Sequence, residues 1–190
     1  MNKKFYIADL HIGHGHAIEF DNRPFKNVEE MDSKLISNWN SVVGKNDTVY
    51  VIGDFIWHRE QSWSEILEQL KGNIVLICGN HDPNRFSSKT KSYFQDIKDY
   101  KSIIDKDKHV IMCHYPIPFY KNDMNDDYVM LYGHVHNSYE YRYIKQLYEL
   151  IENDNNERKP KMNAINVGCM MDWIKYTPRT LDEILANYEK

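Results

Sequence analysis

The chain has 190 residues, 42% of them apolar and 27% charged, with a formal net charge of −4; this is the profile of one globular domain with a full core. No apolar run approaches the roughly 20 residues of a membrane span, and the acidic balance argues against a broad surface that tracks nucleic-acid phosphates. The three cysteines (Cys78, Cys113, Cys169) lack C-x-x-C spacing and no leader pattern precedes the first apolar run, so reduced core thiols in a cytoplasmic protein are expected.

Six short runs rich in Val, Ile, Tyr and Phe have strand character, beginning with "FYIAD" at Phe5. A helix is predicted from Val28 to Val43, where Val28, Met31, Leu35, Trp39 and Val42 recur at three- and four-residue spacing. The strand pattern "TVYVIGD" follows, then "SWSEILEQL", a helical stretch whose Ser62 and Glu65 have capping-box spacing. Next come the strand patterns "NIVLICGN", "HVIMCH" and "YVMLYGH". The polarity of residues 138 to 161 marks an insertion, within which Ile144, Leu147, Tyr148 and Ile151 share one helical face. Last are the strand pattern "AINVGC" and a helix over Leu181 to Tyr188, opened by a Thr180 and Glu183 capping box. Strands alternating with helices indicate a single α/β domain over residues 1–190.

The chemistry lies where the strands stop. The first run ends in Asp9 and His11, the second in Asp54, the third in Asn80, His81 and Asp82, the fourth at His114, and the fifth in His134 and His136. Asp, Asn and His are the oxygen and imidazole ligands of divalent metals. In α/β sheets the carboxyl ends of strands border the ligand crevice, so these residues are expected to converge. A lone "DLH" or "GD" is a common loop opening. Five strand ends in a row of this composition point to one shared site.

Taken in order, "DLH", "GD", "GNHD", a lone histidine and "GHVH" resemble the calcineurin-like metallophosphoesterases, and the resemblance runs from about Lys4 to Cys169. The segment "DLHIGHGHAIEFDNRPF" is similar to a small bacterial and phage branch of them. The resemblance implies two mixed β-sheets packed as a sandwich and flanked by helices, with a dinuclear metal site at one edge. Asp9, His11 and His136 would hold one ion, Asn80, His114 and His134 the other, and Asp54 would bridge them. Imidazoles suit manganese, iron, nickel or zinc better than calcium or magnesium, with manganese placed first. His81 would be the general acid, oriented by Asp82, while a hydroxide bridging the ions attacks phosphorus.

One departure stands out. Relatives often continue G-D-x-x-D, whereas this chain has "GDFIWHRE", with Trp57 in place of the second Asp. His14 and Arg23 are candidate phosphate contacts, Arg23 having a loop-fixing ion pair as its alternative. His16, His58 and His109 are read as solvated or structural. The implied function is a metal-dependent phosphoesterase acting on small phosphomonoesters or phosphodiesters. A nuclease is the rival enzyme reading, although no basic surface interleaved with aromatics is evident in the charge pattern. An inactive scaffold of the same fold is the rival of another class, disfavoured because every ligand residue is present. No membrane partner is expected, and the oligomeric state is left open. The 138–161 segment is expected to be either one wall of the substrate pocket or a peripheral helix.

Overall fold

Because parallel strands are covered on both faces they carry continuous apolar runs rather than alternating ones, and four such runs assemble the inner strands of this protein. In the computed structural model, which describes residues 2–188, the first sheet contains β1 (Lys4–Ile7), β2 (Thr48–Ile52), β3 (Asn73–Ile77) and β4 (Phe94–Lys98), all parallel and in that order. The second contains β5 (Tyr100–Asp105), β6 (Lys108–Cys113), β7 (Tyr128–Tyr132) and β8 (Ala164–Asn166). There β5 and β6 form an antiparallel hairpin and the remaining pairs are parallel. Only Asp99 separates β4 from β5, so the chain changes sheet within one residue. Beyond β1, the Ala8 amide donates to the Val167 carbonyl and the Cys169 amide to the Ala8 carbonyl, each at 2.8 Å, which ties the two sheets together along one edge.

Among the described residues six α-helices flank the sheets: α1 (His16–Phe20), α2 (Val28–Val42), α3 (Trp63–Leu67), α4 (Ser88–Lys91), α5 (Tyr139–Glu152) and α6 (Leu181–Asn187). Helix α2 buries Met31, Leu35 and Trp39, and the Trp39 ring lies 6.1 Å from Phe55 just beyond β2. Its Asn27 cap accepts the Glu30 amide at 2.9 Å, satisfying one of the free donors of the first turn. Among the described residues no helix is long and apolar enough to cross a membrane.

The expected α/β sandwich of two sheets flanked by helices is present, but the first sheet is wholly parallel and only the second is mixed, and two local differences accompany this. Strands β4 and β5 were not among the six expected. They are edge strands, and their sequence "FQDIKDYKSIID" is broken by the Lys, Asp and Gln that protect an open edge from further pairing. The capping box at Ser62 does not form: a 3-10 turn over Glu60–Ser62 already holds Ser62 in helical geometry (φ −92°, ψ −3°), so its hydroxyl caps nothing. The box at Thr180 and Glu183 does form. The helix expected in the 138–161 segment forms and packs on the core through the face read from the sequence. Tyr141 and Tyr148 of α5 are buried, and Ile144, Leu147 and Ile151 pack against the core.

Candidate metal centre

The expected donors sit just beyond the carboxyl ends of β1, β2, β3, β6 and β7, and an unusual backbone turns them inward. Asp9, His11, Asp54, His134 and His136 all have positive φ, between +48° and +70°. This left-handed conformation costs a non-glycine residue about 1–2 kcal/mol, and it persists only where surrounding contacts enforce it. Here they do: the Asp9 and His11 amides donate to the Gly53 and Asp54 carbonyls, each at 3.0 Å.

The result is a compact donor cluster. One ligand-type atom from each of Asp9, His11, Asp54 and His136 lies within 4.8 Å of all the others. The Nε2 atoms of His11 and His136 are 3.3 Å apart. Asp54 Oδ2 stands between two imidazoles, 3.6 Å from His11 Nε2 and 3.5 Å from His114 Nε2. On the far side, Asn80 Oδ1 is 3.1 Å from His114 Nε2 and 2.9 Å from His134 Nδ1. Thus Asp9, His11 and His136 face one side of Asp54, and Asn80, His114 and His134 the other.

Groups behind the donors set which nitrogen faces inward, as carboxylates and carbonyls behind metal-binding imidazoles do. The His114 Nδ1–H donates to the Ile52 carbonyl at 2.9 Å, which leaves Nε2 toward Asn80 and Asp54. The His136 Nδ1–H donates to Asp21 Oδ1 at 2.7 Å, which leaves its Nε2 toward Asp9 and His11. Burial drives the His11 pKa down to about 3, so this imidazole is neutral with a free lone pair. Burial also disfavours a charged His114, but the Asp54 hydrogen bond and the Asp9 and Asp54 charges outweigh it and raise its pKa to about 9. For Asp54 burial acts upward, while His114 and the His81 amide hold it down at about 2. Imidazole, carboxylate and amide oxygen donors held this close together form a set that suits divalent transition metals. Close backbone approach makes this packing possible. A Cβ at Gly53 (φ +83°) would lie 2.1 Å from His114 Nδ1, and one at Gly79 would lie 2.3 Å from Asp54 Oδ1.

A profile of the Calcineurin-like phosphoesterase family matches residues 5–181. The chain belongs to this family. Its members typically bind divalent metals and act as phosphoester hydrolases. The chain is 36% identical to an uncharacterised protein of Methanocaldococcus jannaschii, over all of this chain and 93% of that protein. It is 39% identical over 85 residues to the gene 66 protein of Mycobacterium phage L5, covering 43% of this chain and 41% of the phage protein. Among solved structures it is similar to a protein of unknown function from Aquifex aeolicus, with a TM-score of 0.67, 24% identity, and 99% and 100% of the two chains covered. That likeness concerns the fold.

One side chain, Asp82, has a role other than that expected, and another, Arg23, takes the second of its two expected roles. Arg23 is not available to a phosphate. Its side chain has no exposed surface, because Nη1 donates to the Leu10 carbonyl and Nη2 to the Asp9 carbonyl, both at 2.9 Å, while Nε and Nη2 pair with Asp21 Oδ2. It fixes the turn that carries Asp9. Asp82 does not orient His81. Its buried carboxylate accepts the backbone amides of Asp54, Phe55 and Gly79 at 2.9, 3.0 and 2.8 Å, binding the loops after β2 and β3 together. His81 projects outward with its side chain 45% exposed and Nε2 4.0 Å from Asp54 Oδ2. His14 stacks on the Trp57 indole, with centroids 3.7 Å apart and planes at 5°.

The residue that sequence reasoning missed is Asp21, which holds both His136 and Arg23. Its signal was the D-x-R spacing inside "FDNRPF", read only as part of a loop.

Proposed function

We propose that this chain is a dinuclear metal-dependent phosphoesterase in which Asp9, His11 and His136 hold one ion, Asn80, His114 and His134 the second, and Asp54 contacts both. The observation that carries the reading is the position of Asp54 Oδ2, 3.6 Å and 3.5 Å from one imidazole of each trio. When bound, the ions supply Lewis acidity toward a phosphoryl group and acidify the attacking water. The chain's own contribution is positional and protonic. The left-handed strand ends and the carboxylate and carbonyl behind them hold six of the seven donors before any ion arrives, so little reorganisation accompanies binding.

His81 is the proposed general acid. Water adds to phosphorus, one P–O bond breaks, and the departing oxygen takes its proton from His81. The imidazole is exposed enough to reach a leaving group and to exchange protons with solvent, while its backbone amide is anchored on Asp54 Oδ1 at 2.9 Å. His14 lies beside this acid through Trp57 and is proposed as a substrate contact, whereas Asp82 acts only through the loop it holds. Manganese is the first choice of ion, with iron, nickel and zinc as alternatives. A cytoplasmic setting suits the three free thiols, Cys78, Cys113 and Cys169. The convergence of all seven donors supports an enzyme over a scaffold that has lost catalysis.

The test uses metal-stripped protein with manganese, iron, nickel and zinc restored separately, assayed on p-nitrophenyl phosphate and bis(p-nitrophenyl) phosphate. Turnover with at least one metal, at two ions per chain, is expected. Protein shown to hold two ions yet inert toward both esters would overturn the proposal.

A further inference from the structure

The mouth of the metal centre is lined by large aromatic side chains that face solvent. Phe20, Trp57 and Tyr115 are 56%, 41% and 47% exposed, and each touches an imidazole of the centre. The Phe20 ring is 5.4 Å from His136, Trp57 is 4.8 Å from His81, and Tyr115 is 4.6 Å from His134. Single exposed aromatics need no explanation, but a group of them around one polar cleft marks a binding surface. Trp57 is also held in place. His14 covers one face of the indole, and the Trp57 amide donates to the Ile12 carbonyl at 2.8 Å, so its exposure lies on the other face and edges of a ring fixed beside the general acid.

A cleft of about 880 Å³ adjoins the centre at Asn80, bordered also by Tyr115, by Arg85, Lys91 and Lys98, and by Asp82 and Asp99. Lys98 is paired with Asp96 at 3.5 Å. Arg85 and Lys91 have no ion-pair partner among the described residues, which leaves two cations free to meet an anion. A simple phosphomonoester would use neither the aromatic mouth nor this basic cleft.

We infer that the substrate is a nucleotidyl phosphodiester: the scissile phosphate lies at the metal centre, a base rests on Trp57 beside His81, and a second phosphate sits in the cleft with Arg85 and Lys91. This rests on the phosphoesterase reading and specifies its substrate class. Each part of the site matches one part of such a molecule. An aromatic ring accepts any base through its π-face, and base stacking on it contributes about 5- to 100-fold in affinity. Free guanidinium and ammonium groups recognise phosphate oxygens.

The experiment compares kcat/KM of the metal-loaded protein on the thymidine dinucleotide TpT, on TpT analogues with one base replaced by an abasic tetrahydrofuran, and on TpT carrying a 5′- or 3′-terminal phosphate. Bis(p-nitrophenyl) phosphate is the control ester. The wild type should prefer TpT over at least one abasic analogue by about 5- to 100-fold, and one terminal phosphate should raise kcat/KM further. Trp57→Leu should bring the base preference to near unity, mainly through KM, while Trp57→Phe, which keeps a ring, retains part of it. Arg85→Gln with Lys91→Gln should abolish the terminal-phosphate preference and leave the base preference in place. Binding gives a readout that does not depend on turnover. Trp39 and Trp63 are buried and Trp173 is half-buried with its indole N–H bonded to the Asn166 carbonyl, so phosphorylated TpT should quench the Trp57 share of the wild-type emission and leave that of Trp57→Leu unchanged. Turnover of the control ester with equal rates on TpT and both abasic analogues would overturn the nucleotide assignment and leave the hydrolase standing. Absent quenching, or a base preference unchanged in Trp57→Leu, would also overturn it. No turnover of any ester by protein holding two ions would overturn the hydrolase reading and this inference together.

Discussion

Asp21→Asn is the most informative single substitution, because it separates the metal centre from the fold that carries it. The carboxylate is 2% exposed and divides its two oxygens between His136 and the fully buried Arg23. Asparagine keeps one acceptor oxygen but no charge. Breaking a buried ion pair from one side costs about 3–5 kcal/mol, and the retained oxygen places this case near the lower figure. At about 2–4 °C per kcal/mol for a chain of this size, a loss of about 3 kcal/mol lowers Tm by about 6–12 °C. The melt is run in chelator, since bound metal would raise apparent stability by mass action. The second effect is on the metals: losing the group that orients a ligand imidazole weakens binding by about 10–100-fold. His136 depends on Asp21 directly and Asp9 through Arg23, and both belong to the same trio, so calorimetric titration should find one ion weakened and the other, held by Asn80, His114 and His134, nearly unchanged. Equal weakening of both ions would mean that the substitution acts through general loosening of the domain. Unchanged affinity for both would mean that Asp21 does not orient His136 in any way that matters.

His81→Ala should leave both ions bound by elemental analysis while lowering turnover about 10²–10⁴-fold, and an ester with a very good leaving group should hide much of the loss. An empty site in that variant would make His81 a ligand instead. Gly53→Ala forces a Cβ to within 2.1 Å of His114 Nδ1, so it should break the bond to the Ile52 carbonyl and selectively weaken the ion held by His114, read by the same titration. Tyr148→Ala removes a buried ring of α5 and should destabilise the domain by about 3–5 kcal/mol in denaturant melts, as large aromatic deletions from cores do. A loss below about 1 kcal/mol would mean that α5 adds little to the core.

The donors at the strand ends could be located from sequence because strands and their ends are local features: an apolar run, a turn, then a metal-type side chain. What joins those donors from behind could not. Asp21 lies 115 residues from the His136 that it holds, and nothing in "FDNRPF" announces that distance. Arg23 was readable as either a phosphate clamp or a loop-fixing pair, and burial decided for the second. Asp82 was adjacent to His81 in sequence, yet consecutive residues beyond a strand point apart, and its carboxylate turned to three backbone amides. The mixed composition of β4 and β5 concealed them, since an open edge is kept polar. Of α5, the Ile144, Leu147, Tyr148 and Ile151 face was legible, while the burial of Tyr141 depends on neighbours far away in the chain.

A chain shaped for durability alone would place glycine at positions 9, 11, 54, 134 and 136, where φ lies between +48° and +70°. Glycine adopts that backbone without steric penalty. Asp and His at those positions therefore carry a local steric cost in the backbone, which coordination can offset. Asp9→Gly sets the two demands against each other at one position. Stability and function are here in opposition through the backbone itself, as is common where a site needs a geometry that the surrounding structure must enforce. The same five angles also narrow what drift can reach. Replacement by valine, isoleucine or threonine would remove a donor and add a β-branch to a left-handed turn, so the neutral paths leading away from this site pass through glycine or asparagine.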